Sequence, residues 1–341
     1  MKKAISIFLV VLLAVTAILA FSSCTTKSDP ADNNGTTKVK DTPAAVKVGI
    51  LKWVTHGALD EAEKGFIDAL KAGGYIEGDN LTIDKQNAND NSTTAASIAD
   101  KFINGNMDLI LGIATPAVQS IQSKTETIPI LGTAVTDYEK AKLVASNEKP
   151  GKNISGTSDL TPTKDQFEML LKVLPDTKSV GIIYNSSEEN SRIQAEEAKT
   201  IAESKGLKVE IKTFSSVNDI PQTAEALAKN VDAFWLPTDN TLASAMDVLI
   251  DKTMEKKIPV VCGEENMVKS GGTFTIGINY YNLGYQTGEM AVKILKEGTK
   301  PADMPIEWQK DMSIAINRKN ADALGITFPA DILDKATDVS K

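Results

Sequence analysis

The sequence predicts an α/β protein made of two doubly wound, Rossmann-like lobes joined by a multi-crossing hinge. Three observations lead there. Short apolar runs without polar alternation recur between amphipathic segments, the pattern of a parallel sheet covered by helices on both faces. The pattern restarts after Gly156, where KSVGIIYN at 178 echoes VKVGILKW at 46 and DAFWLPTDN at 232 echoes DLILGIATPA at 108. The C-terminal stretch then breaks the alternation, as a chain would in passing back between the lobes.

The first lobe opens on the strand VKVGIL. An amphipathic helix Leu59–Ala72 follows, with Leu59, Ala62, Phe66, Ala69 and Leu70 on one face and Gly73-Gly74 as its stop. Next come strand LTIDKQNA (81–88), helix Thr93–Ile103, strand Leu109–Ile113, a helix opening at Thr115-Pro116 where Pro suits an early helical position, and strand Ile128–Leu131. The second lobe reads as helix Thr163–Leu174, strand Ser179–Tyr184, helix Asn190–Lys205, strand Lys208–Phe214, helix Pro221–Lys229, strand Ala233–Pro237, helix Leu242–Lys256 and strand Pro259–Cys262. After TIGINYYN the chain gives helix Leu283–Leu295 and the short runs Pro305–Trp308 and Ser313–Asn317. The expected division is 46–156 plus 278–307 for the first lobe and 157–277 plus 308–341 for the second. Open α/β sheets bind ligands at the carboxyl ends of their strands, so two facing lobes make a cleft there, and several crossings act as a hinge. This is the organisation of two-lobed, periplasmic-binding-protein-like receptors.

The N-terminus indicates export. Lys2 and Lys3 precede the apolar run Ile5–Phe21, which is short for a bilayer span and ends in Ser22-Ser23-Cys24. Residues 1–23 read as a lipoprotein signal peptide, with Cys24 the acylated first residue of the mature chain. Two or three acyl chains anchor stably where one does not. Residues 24–45, rich in Asp, Asn, Thr, Lys and Pro, have too little apolar surface to order themselves and read as a tether reaching roughly 25 Å.

Composition removes several functions. Loss of Lys2 and Lys3 takes the formal charge from -8 to about -10, which lacks the basic footprint of a nucleic-acid binder. The single histidine, His56, cannot make a His-based metal cluster, and once Cys24 is acylated Cys262 has no disulfide partner. No phosphate-loop, dinucleotide, nucleophile-elbow or zinc-protease motif occurs, so neither an enzyme nor a cofactor is expected.

The stretches VGILKWVTHGALDEAEKGFIDALK (48–71), GIATPAVQ (112–119), TAVTD (133–137), KPGKNISGTSDLTP (149–162), VGIIYNSSEENS (180–191), LPTDNTLASA (236–245) and TIGINYYNLGYQTGEMAVKILKEG (275–298) carry a resemblance. Together they resemble the ABC-transporter substrate-binding lipoproteins for aromatic amino acids, most nearly the tryptophan and tyrosine binders of Gram-positive bacteria, from about Val46 to Ile326. Many relatives carry Asp where this chain has Asn279. The resemblance implies a monomeric receptor on the outer face of the cell membrane. It would hold a free aromatic amino acid, tyrosine favoured, and deliver it to a permease whose ATPase is a separate chain.

Such a ligand presents a carboxylate, an ammonium and a ring. Thr115, at the start of a helix, suits the carboxylate, with Thr136, Ser158 and Asn185 as further donors. Asp239 and Glu264 at second-lobe strand ends, and Asp137 and Asp159 near the crossing, suit the ammonium, with Asn240 beside them. Trp53 and Tyr184 suit the ring, and His56 a phenol or indole tip. Capping and turn duties compete for Thr115 and every one of the acidic residues. Two other readings compete with import of an aromatic amino acid. One is a lipoprotein for another small ligand, such as a branched-chain amino acid, a sugar or a signal molecule; the other is a surface adhesin reaching host molecules. A repressor effector domain would need a basic helix-turn-helix where the signal peptide stands.

Overall fold

The computed structural model describes residues 43–340. Cys24 and the expected signal and tether lie outside them, apart from the last three tether residues. The chain begins with β1 (Val46–Lys52), α1 (Gly57–Ala72), β2 (Leu81–Asn87), α2 (Ser92–Asn104), β3 (Leu109–Ile113), α3 (Thr115–Gln122), β4 (Ile130–Val135) and β5 (Ile154–Ser158). It continues with α4 (Thr163–Val173), β6 (Ser179–Asn185), α5 (Glu189–Ser204), β7 (Lys208–Phe214), α6 (Ile220–Ala228), β8 (Ala233–Trp235), α7 (Asn240–Ser244), α8 (Met246–Glu255), β9 (Val260–Val261), α9 (Glu265–Lys269) and β10 (Phe274–Gly277). The end comprises α10 (Tyr280–Glu297), β11 (Glu307–Trp308), β12 (Ser313–Ile316), α11 (Arg318–Leu324), α12 (Ala330–Leu333) and β13 (Ala336–Asp338).

Two sheets form. The first is ordered β11-β5-β4-β3-β1-β2 and the second β13-β12-β10-β9-β8-β6-β7, parallel throughout except for β10 against β12. The apolar β1, β3 and β4 lie inside the first sheet with helices over them, which is why they read as continuous apolar runs. The chain passes from the first sheet to the second after Ser158, returns after Gly277 and leaves again after Trp308.

The return is fixed by close packing of α10 on α1. A Cβ built on Gly284 would lie 1.9 Å from the Ala62 carbonyl oxygen, and one on Gly65 would lie 2.0 Å from that of Tyr281, so only glycine lets the two backbones approach.

Several elements differ from expectation. β5 (ISGTS) has too little apolar character to read as a strand, yet all five residues are buried, because Ser155 donates to the Met304 carbonyl and the Thr157 hydroxyl bonds that of Thr287. The single helix expected over Leu242–Lys256 is two, broken at Ala245 (φ -132°, ψ 31°). The short α9, α11, α12 and β13 had no periodicity long enough to detect.

Candidate functional site

The carboxyl ends of the first-lobe strands converge on Trp53 and Thr115. The Trp53 amide donates to the Ile113 carbonyl, and the Ala114 amide to that of Thr133. Ala114, which caps α3, has φ 84° and ψ 152°, a region otherwise nearly confined to glycine. Ala134 has φ 55° where the β4–β5 register shifts. Strained non-glycine backbone of this kind costs about 1–3 kcal/mol per residue and clusters at ligand sites.

Eight buried side-chain polar atoms among the described residues lack a partner. Five of them belong to this edge and its counterpart: Trp53 Nε1, His56 Nδ1, Thr115 Oγ1, Asp159 Oδ1 and Asn190 Oδ1. Buried polar groups left unpaired are costly, so such a concentration marks a place where something else supplies partners. Burial lowers the His56 pKa to about 4, which keeps its imidazole neutral at physiological pH. Asp159 is 3% exposed, and its Oδ2 accepts from the Tyr280 hydroxyl at 2.7 Å. Burial raises its pKa against the opposing hydroxyls of Tyr280, Thr136 and Thr238.

Hydrogen bonds run from lobe to lobe across this edge. His56 Nε2 meets Asn240 Oδ1 at 3.4 Å, Gln194 Nε2 donates to the Thr136 hydroxyl at 3.1 Å, and Thr241 Oγ1 meets Asp90 Oδ2 at 2.9 Å. At the rim, Asn266 Nδ2 reaches Glu61 at 3.4 Å and Lys269 pairs with it at 3.6 Å. On the second lobe Glu188 is fully buried. It accepts from the amides of Asn240 (2.9 Å) and Thr241 (2.8 Å) and from the Asn240 side-chain amide (2.6 Å). A cavity of about 370 Å³ opens between the lobes, lined by Trp53, Asp90, Pro116, Gln119 and Ser120 on one side and Ser187 on the other.

The structure brings Trp53, His56, Thr115, Thr136, Asp159 and Asn240 to this edge, and the other expected residues make hydrogen bonds and contacts of their own. Both oxygens of Asp239 accept backbone amides, Leu242 at 2.7 Å and Asn185 at 2.8 Å, so it caps α7 and ties β6 to it. Burial, then the charge of Glu188, pushes the Asp239 pKa well up. Glu264 caps α9 through the amides of Asn266 and Met267, and burial raises its pKa to about 7. Asp137 accepts from the Lys140 amide and pairs with its ammonium at 3.3 Å, a local turn. Tyr184 is partly buried against the second-lobe core, with Glu196, Arg192 and Glu189 of α5 close enough to act on its hydroxyl. The Ser158 hydroxyl donates to the Thr136 carbonyl. Asn185 donates to Thr241 Oγ1, and Asn279 caps α10.

Glu188, Asn190, Gln194, Thr238, Thr241, Tyr280 and Asp90 were missed. The polar loop NSSEEN directly after an apolar strand was the available signal for Glu188 and Asn190, since it lies at the carboxyl end of β6. No signal existed for Asp90, which is placed by successive residues of positive φ, Asn89 (51°) and Asp90 (57°). Among the described residues, no group of three or more His, Cys, Asp or Glu is arranged to hold a metal ion.

The chain matches the family model for ABC transporter substrate binding protein over residues 47–340. It is 38% identical over 323 residues to the tyrosine-binding protein of Clostridioides difficile (strain R20291), spanning 95% of this chain and 92% of that relative. The ABC domain in complex with L-Trp from Streptococcus pneumonia is 37% identical, with a TM-score of 0.84 over 86% of this chain and 99% of the other. The ligand-free, open structure of a substrate-binding protein with adhesive properties from Clostridium difficile is 40% identical over the same shares, but its TM-score is 0.67. At nearly equal identity, this chain is closer in shape to the tryptophan complex than to the open form, in keeping with its lobe-to-lobe hydrogen bonds.

Proposed function

Because the chain belongs to the ABC transporter substrate-binding protein family, we propose that it receives a free aromatic amino acid between its lobes, tyrosine ahead of tryptophan or phenylalanine, and delivers it to a membrane permease. Proteins of this family are extracytoplasmic and are not enzymes. No helix of the described residues is long and apolar enough to cross a membrane. Retention at the cell surface through acylated Cys24 is part of the proposal and rests on the sequence alone.

The observation that carries the reading is the set of unpartnered buried atoms, whose chemistry complements an amino acid. Asp159 Oδ1 offers an acceptor to the ammonium. The Thr115 hydroxyl, with the amides at the start of α3, offers donors to the carboxylate. Trp53, only 5% exposed, offers a ring face, and neutral His56 and the indole N–H offer hydrogen bonds to a polar ring tip. The names of two relatives, a tyrosine binder and a tryptophan complex, support the same ligand class. Native mass spectrometry of the purified protein with an equimolar amino-acid mixture tests it: aromatic adducts are expected, and an exclusively aliphatic adduct refutes it. Contact with host surfaces is a second reading, favoured by the adhesive properties of one relative, and inhibition of cell attachment by purified protein tests it.

A further inference from the structure

We propose that Asp90 is a positioning residue that latches the lobes over the ligand through a proton it shares with Glu188 across the Thr241 hydroxyl. The inference rests on the proposed amino-acid binding and adds a linkage between closure and protonation.

The geometry is a counting problem. A threonine hydroxyl has one proton and two lone pairs. Asn185 Nδ2 donates to Thr241 Oγ1 at 2.7 Å, which occupies one lone pair. Two carboxylate oxygens remain in contact with the same atom, Glu188 Oε1 at 2.7 Å and Asp90 Oδ2 at 2.9 Å. The hydroxyl proton satisfies one of them. The other contact becomes a hydrogen bond only if that carboxyl carries a proton and donates it to the remaining lone pair. Burial raises the pKa of Glu188, but two backbone amides and the Asn240 side chain oppose that and hold its charged form, which makes it the anion of the pair. Asp90, half-buried and on the opposite lobe, is the natural acid. Closing therefore takes a proton from solvent to form the O–H bond on Asp90, and opening returns it.

The surroundings agree. Asp239 stands beside Glu188, and burial together with the Glu188 charge pushes its pKa well up. Neutral His56 faces Asn240. No cation among the described residues pairs with Asp90, Glu188 or Asp239; the nearby Arg192 is taken by Glu189 and Glu196, and Lys52 by Asp60 and Glu63. Burial raises the pKa of Asp90 in the closed form, against the opposing Thr241 and Trp53 side chains. A carboxyl whose pKa is higher closed than open favours the closed form as pH falls toward the ordinary carboxylate range and loses that advantage as pH rises.

The test is titration calorimetry of the full chain with L-tyrosine between pH 5 and 8, in buffers of different ionisation enthalpy, for the parent and Asp90→Asn. The asparagine amide is a permanent donor to Thr241, so the variant should bind without this proton. The parent should take up more protons per tyrosine than the variant, and its affinity should strengthen with acid, by at most tenfold per pH unit, where that of the variant changes less. Equal proton uptake by the two proteins overturns the latch, because a purely structural role for Asp90 would not move that quantity. If tyrosine fails to bind at any pH, the ligand assignment fails separately. Small-angle scattering of the ligand-free proteins then decides: compaction on acidification in the parent but not in Asp90→Asn supports the latch, and identical profiles overturn it.

Discussion

Replacing Asp159 with Asn keeps the shape of the side chain and removes its charge. One oxygen is held by the Tyr280 hydroxyl at 2.7 Å and the other is buried without a partner, so a ligand ammonium is the group that would complete it. Removing one partner of a buried charged pair costs about 2–5 kcal/mol, and because asparagine still offers a neutral acceptor the loss belongs at about 2–3 kcal/mol. That is a weakening of about 30- to 160-fold, read by calorimetry with L-tyrosine. Stability of the ligand-free protein should move the other way. Burial raises the folded-state pKa of Asp159, so its stabilising contribution is complete below the unfolded value and is lost as pH rises through the folded one. At pH 7 the variant should resist urea better than the parent. Lower affinity with higher ligand-free stability is a combination that loss of packing does not produce. An affinity loss below threefold, or a destabilised variant, would refute the assignment of Asp159 to the ammonium.

Trp53→Ala should weaken tyrosine more than leucine, by about 0.5–1.5 kcal/mol beyond the shared loss; equal fractional losses by calorimetry would remove Trp53 from the ring contact. Gly284→Ala would force α10 off α1, since its Cβ meets a backbone oxygen at 1.9 Å, and should cost about 3 kcal/mol in urea unfolding; an unchanged midpoint would contradict the packing account. Cys24→Ala should release the protein from the membrane fraction or leave its signal attached, and a matured variant that stays membrane-bound would exclude acylation at that residue.

The fold class was legible because it follows from burial on both faces of parallel strands. Val48, Ile50 and Leu51 in β1, and Val180, Ile182 and Ile183 in β6, are all fully buried, and a run of that kind with a helix after it leaves few alternatives. β5 was illegible because its stability comes from hydroxyls bonding to distant groups rather than from apolar side chains. The candidate site divides along the same line. Trp53 and Thr115 could be placed because they directly follow apolar strands. The acidic residues were harder, since an Asp or Glu at a strand end serves equally as a helix cap and as a ligand group. Asp239 and Glu264 spend both oxygens on backbone amides, whereas Asp159 does not. Which oxygen remains free depends on residues more than a hundred positions away, as with Tyr280 and Asp159, and no local pattern encodes that.

Thermal unfolding of the purified protein with single amino acids tests the central claim most directly. Ligand at a hundred times its dissociation constant adds about 2.7 kcal/mol to stability. The account predicts a clear rise in the midpoint with tyrosine, tryptophan or phenylalanine and a much smaller one with leucine at the same concentration. A rise with leucine equal to that with tyrosine, or none with any aromatic amino acid, would contradict it.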